Sequence, residues 1–147
     1  MTATLLYRIA SVLLILYAAA HIVGSSTFTP PTPESVAVYN AMNTVHFSDG
    51  SRSYSFGDFY KGLGDCVTIF VLFQAFLAWH MATMAAKQPE SIGALGWIFC
   101  ASQLATMVVA WVYIAAPPAI SSAVVAVCLA LAAWRVRVNP KQTASLQ

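Results

Sequence analysis

The sequence predicts an all-α integral membrane protein: four transmembrane helices in an antiparallel bundle, both termini in the cytoplasm, and one long external loop between the first two helices. Three observations carry that prediction. Of 147 residues, 59% are hydrophobic and 8% charged, with a mean hydropathy of +0.72, which is too little charge to solvate an ordinary globular surface. Four apolar stretches each come close to the roughly 20 residues that a helix needs to cross the ~30 Å hydrocarbon layer. Within lipid the backbone must satisfy its own hydrogen bonds as helix or closed barrel, and the period-two alternation of barrel strands is absent. These stretches and their connections use nearly all of the chain, so one domain over residues 1–147 is expected.

The first span covers about residues 5–23. Arg8, the apolar run after it and Ala18-Ala19-Ala20 before His21 imitate a secretory signal. Arg8 sits late for that role, and apolar character continues through Ile22 and Val23, so retention as a span is expected. A loop over 27–57 follows. Its start, Pro30-Pro31-Thr32-Pro33, cannot continue a helix. Residues 34–44 fit a short amphipathic helix, with Val38, Met42 and Val45 as an apolar stripe suited to the membrane surface or to capping the bundle. Residues 46–55 read as a turn, given Asp49-Gly50 and three serines.

The second span covers about 59–82, the third 92–116 and the fourth 119–136. Pro89 in the connection over 87–90 and Pro117-Pro118 between the last two spans leave no room for anything but hairpins. Orientation follows from Lys and Arg, which are retained in the cytoplasm more strongly than acids are excluded. Arg8, Lys87, Arg135, Arg137 and Lys141 fall on one side, Arg52 and Lys61 on the other. Trp79, Trp97 and Trp134 then lie near the inner boundary and Trp111 toward the outer one, as an aromatic belt requires. Cys66, Cys100 and Cys128 fall in three different spans without a CxxC pair, and read as buried apolar thiols. No basic patch interleaved with aromatics is present, which sets nucleic-acid binding aside.

Ionisable groups at membrane depth are costly and invite a functional question. Counting ~1.5 Å per residue from the segment centres puts His21 roughly 9 Å and Asp65 about 12 Å toward the outside. Helical spacing joins Asp58, Lys61 and Asp65 on one face, with Tyr17 and His21 on the corresponding stripe of the first span. Lys61 can pair with either carboxylate. Gly57, Gly62 and Gly64 permit close approach by a neighbouring helix or a ligand.

Two readings follow. In one, Tyr17, His21, Asp58, Lys61, Gly62 and Asp65, with His46 and Arg52 from the loop, form an outward-facing polar pocket for a lipid, quinone or isoprenoid. His21 and Asp65 then act as a catalytic acid–base pair. In the other, the same groups pin the first helix to the second. His21, His46, Asp58 and Asp65 lack any recognised metal-ligand spacing, so no metal site is expected. His21 and His80 lie near opposite membrane faces and cannot bracket a haem; no cofactor is expected. Gln74 and Gln103, near mid-depth, read as a hydrogen bond between helices two and three.

Ser51-Arg52-Ser53, then Gly57-Asp58-Phe59-Tyr60-Lys61-Gly62-Leu63-Gly64, with His21 and Gly24 late in the first helix, resemble small bacterial four-helix membrane proteins of the DoxX-like group. The resemblance covers the first two helices and the loop, about half the chain. It implies a four-helix bundle in a bacterial cytoplasmic (inner) membrane and a role near redox or lipid chemistry, with no catalytic residues to carry over. The leading expectation is therefore a protein that binds a small hydrophobic ligand. Its rivals are an accessory or scaffold subunit paired with another membrane protein, and an oligomeric small transporter, since four helices without a continuous charge path would need further copies.

Overall fold

A computed structural model of the chain describes residues 1–138; Lys141, one of the five basic residues counted on the cytoplasmic side, lies outside the described residues. In chain order the elements are α1 (Ala3–Thr27), α2 (Pro33–Thr44), β1 (His46–Asp49), β2 (Arg52–Ser55), α3 (Phe56–Lys87), a 3-10 turn (Pro89–Ile92), α4 (Leu95–Tyr113) and α5 (Ala116–Val138). Helices α1, α3, α4 and α5 are each long and apolar enough to cross a membrane, so the chain is built as a multi-pass membrane protein.

The structure divides into two compact units. The first comprises Met1–Ala18 and, among the described residues, 71–138; the second is Ala19–Phe70.

In the first unit, four helix segments bury stripes at three- and four-residue spacing. These are Leu6, Ala10 and Leu14 in α1, Ala75, Ala78, Ala82 and Ala85 in α3, Gly96, Phe99 and Gln103 in α4, and Val125, Leu129 and Ala132 in α5. The abundance of alanine has a physical cause. Lipid tails are as apolar as leucine, so spanning helices associate through close van der Waals contact and a few hydrogen bonds, and small residues let backbones approach. Gly96 is the tightest case: a Cβ there would stand 2.6 Å from the Tyr7 hydroxyl and 2.9 Å from the Ala133 Cβ. Three polar contacts tie the same helices. Ser11 Oγ donates to the Ala75 carbonyl at 2.8 Å, Cys100 Sγ to the Ala126 carbonyl at 3.5 Å, and Gln103 Nε2 to Gln74 Oε1, the link expected of those two glutamines.

Several boundaries differ from expectation. The third span is shorter than 92–116, because Gly93 adopts a positive φ of 49° after the 3-10 turn and a new helix begins at Leu95. Pro117 and Pro118 do not close that helix, which ends at Tyr113; they lie in the first turn of α5, where the missing N–H groups are not required. Cys66 is exposed on α3 rather than buried, while Cys100 is buried and Cys128 half-buried, and all three are free thiols.

The second unit holds the end of α1, helix α2, the two strands and the start of α3. Residues 46–55, expected as a turn, form an antiparallel hairpin pairing His46 with Ser55 through Asp49 with Arg52. Its two-residue loop has Gly50 at φ 64° and no other residue at positive φ, the pattern of a type II′ turn. Helix α2 starts with a reciprocal cap: Ser35 N donates to Thr32 Oγ1 and Thr32 N to Ser35 Oγ. Its backbone hydrogen bond and the Thr32 side chain hold the Glu34 carboxyl below the usual range. No residue of α2 is buried, so Val38, Met42 and Val45 do not form a packed stripe against protein.

Candidate functional site

The start of α3 is fixed by its own sequence. Ser55-Phe56-Gly57-Asp58 is a capping box in which Ser55 Oγ accepts from Asp58 N at 2.9 Å, while Asp58 Oδ2 accepts from Ser55 N at 3.0 Å and Ser55 Oγ at 2.8 Å. A Cβ on Gly57 would run into the Asn43 side chain and lie 3.4 Å from the Met42 carbonyl, so this glycine lets the end of α2 meet the first turn of α3. Phe47 of β1 packs against Tyr54, Phe56 and Phe59, with ring centroids 6.0, 5.2 and 6.2 Å away. This aromatic group orients the hairpin on the helix end.

Beyond the cap, Lys61, Gly64, Asp65 and Thr68 follow helical spacing along one face of α3. Lys61 Nζ and Asp65 Oδ2 form an ion pair at 2.6 Å, both side chains largely exposed. Of the two carboxylates within reach of Lys61 by spacing, it therefore pairs with Asp65, and Asp58 serves the cap. The His21 ring, half-buried on α1, lies over this face: its Nδ1 is 3.0 Å from Thr68 Oγ1, and its Cε1 stands 3.7 Å from where a Cβ on Gly64 would be. Thr68 Oγ1 donates its hydrogen to the Gly64 carbonyl at 3.2 Å. Thr68 Oγ1 is thus shared between the His21 ring and the Gly64 carbonyl.

The residues expected in one pocket thus separate by role. Lys61 and Asp65 pair on one face of α3, His21 of α1 meets that face at Gly64 and Thr68, and Gly62 faces open space. Asp58 is held by the cap. His46 is exposed, with Nδ1 2.9 Å from the Thr44 carbonyl, and Arg52 is exposed at the closing pair of the hairpin opposite Asp49. Tyr17 is half-buried in the first unit. Two participants were not singled out from sequence. Ser55 carries the S-x-x-D capping signal directly before an apolar run, and Thr68 stands three residues beyond Asp65 on the same face, a position that helical spacing alone identifies.

No group of three or more His, Cys, Asp or Glu side chains that could hold a metal ion occurs among the described residues. No family model matches the chain, and neither a curated protein nor a solved structure matches it.

Proposed function

We propose that this multi-pass membrane protein binds a small hydrophobic ligand with a polar head, a lipid, quinone or isoprenoid, at the His21, Thr68 and Lys61–Asp65 stripe. In this reading both termini are cytoplasmic, the loop over 27–57 lies outside, and the membrane is a bacterial inner membrane. The observation that carries the proposal is the His21 imidazole lying over a glycine-bearing polar face of α3, with its Nδ1 3.0 Å from Thr68 Oγ1. An imidazole beside a hydroxyl can exchange a proton with an enolic head group, and the Lys61–Asp65 pair further along the same face offers it polar contacts. Acid–base chemistry on the bound ligand, with His21 and Asp65 as the pair, is the extension of the same arrangement.

A second reading has its own support. The side chains of Asp58, His46 and Lys61 all find partners within the chain, and Phe70, Phe73 and Phe76 are each more than half exposed along α3. An accessory subunit would use such a face against another membrane protein, with the polar stripe purely architectural.

Native mass spectrometry of protein purified in mild detergent separates the two. Binding predicts a co-purified hydrophobic mass that disappears in His21→Ala and Asp65→Asn while both variants melt close to the parent. Loss of thermal stability in both variants, with no bound mass that depends on His21 or Asp65, would establish the scaffold instead.

A further inference from the structure

The first unit carries a cleft unrelated to the His21 stripe. It measures about 440 Å³ and is bordered by Glu90 of the 3-10 turn, Gly93, Trp97 of α4, and Ala133, Val136 and Arg137 of α5. Its chemistry is divided. Trp97, Ala133 and Val136 supply an apolar wall, while Glu90 and Arg137, both exposed, supply one charge of each sign at the rim. These two are not joined to each other: among the described residues the ion pair within 4 Å is Lys61–Asp65. Gly93, at a φ of 49° that L side chains rarely adopt, stands at the break between the 3-10 turn and α4.

Depth gives the cleft its meaning. The 3-10 turn follows α3, Trp97 stands in the first turn of α4, and Arg137 lies in the last turn of α5, so the cleft opens where three spanning helices end. Tryptophan at a helix end, beside a basic residue, is the pattern of a membrane–water boundary. Behind the wall, the Tyr7 hydroxyl is enclosed near Gly96 and Ala133 and has no hydrogen-bond partner among the described residues.

We infer that this cleft is a binding site for a zwitterionic phospholipid whose head group carries a primary amine, of the phosphatidylethanolamine type. The Arg137 guanidinium donates to the phosphate and the Glu90 carboxylate accepts from the ammonium, while an acyl chain follows Trp97 and Val136 into the hydrocarbon. Charge complementarity selects this occupant. A purely anionic head group would satisfy Arg137 but meet Glu90 as a like charge, and a choline head group has no N–H for the carboxylate.

The test adds lipids of one acyl composition, differing in ethanolamine, choline or glycerol head group, to delipidated protein and reads retention by native mass spectrometry. The ethanolamine lipid is expected to be retained about tenfold more than the choline lipid. Glu90→Gln brings the ethanolamine lipid down to the choline level, and Arg137→Gln weakens both. His21→Ala, which tests the separate proposal above, leaves this preference unchanged. Both rim residues are exposed, and a melting curve for each variant confirms an intact fold. Equal retention of ethanolamine and choline lipids by the parent, survival of the preference in Glu90→Gln, or stronger retention of the glycerol lipid would each overturn the inference.

Discussion

The two units solve the same problem with different chemistry. Residues 1–18 and 71–138 hold nearly every buried side chain, mostly Ala, Leu and Val in helical stripes. Across Ala19–Phe70, Ser55 is the one buried residue, and it is polar. The first unit is therefore organised by close contact between small side chains, the second by caps, a hairpin ladder, an ion pair and the His21–Thr68 contact. Apolar packing is continuous along a helix and tolerates no extra volume, whereas polar caps are local and fail one at a time. Substitutions in the two units should differ accordingly, in size and in how far their effects travel.

The largest effect is expected at Gly96. A Cβ already meets both Tyr7 and Ala133 below 3.0 Å, and both neighbours belong to the enclosed core. Gly96→Val should cost about 3 kcal/mol, since overpacking forces backbone shifts rather than a single rotamer change. A reversible unfolding titration in mixed micelles measures it. The loss should be global, lowering the protection of α1, α4 and α5 together. A variant of unchanged stability would mean that helices in this unit slide freely and that contact does not organise it.

Ser55→Ala should act at an intermediate scale and remain local. The substitution removes both the acceptor for Asp58 N and one donor to Asp58 Oδ2, a capping loss of about 1–2 kcal/mol. Hydrogen exchange provides the readout: amides at the start of α3 should exchange faster by an order of magnitude or more, while those of α4 and α5 keep the parent's rates. Spread of the change into α4 would show that the cap supports the whole molecule, against the division described above.

How much of this was legible in the sequence depends on which interaction fixes each feature. The four spans follow from transfer of apolar side chains to lipid, a property of composition, and hydropathy alone identifies them. Gln74 with Gln103 was also legible, because mid-depth amides have few other ways to be satisfied. Helix ends were less so. Pro117-Pro118 suit the first turn of a helix as well as the end of one, and what separates the cases is where α4 runs out, which is a matter of packing. The hairpin and the cap did carry signals, Asp49-Gly50 and Ser55-Phe56-Gly57-Asp58, but short turn residues admit several geometries and the serines among them read equally well as loop. Lys61 pairing with one of its two flanking carboxylates was legible from helical spacing alone. Thr68 was not, because depth counted from segment centres is accurate to about one turn, ~5.4 Å.

The smallest effect should come from Lys61→Ala. With side chains 75% and 62% exposed on the protein, an i,i+4 ion pair in water contributes no more than about 0.5 kcal/mol, screened further by salt. That figure assumes water around the pair, and it is here that the comparison between units is sharpest. If α3 enters the hydrocarbon only beyond Thr68, the melting temperature should be almost unchanged and insensitive to salt, and the residues before Thr68 belong with the aqueous hairpin. If the boundary instead falls nearer the cap, removing Lys61 strands the Asp65 carboxylate in a poorly hydrated layer, and the loss rises to several kcal/mol. A double substitution, Lys61→Ala with Asp65→Ala, then recovers most of that loss, because the cost lies in the unpaired charge rather than in the missing pair. The difference between single and double variants thus marks where lipid takes over from side-chain hydrogen bonding along α3.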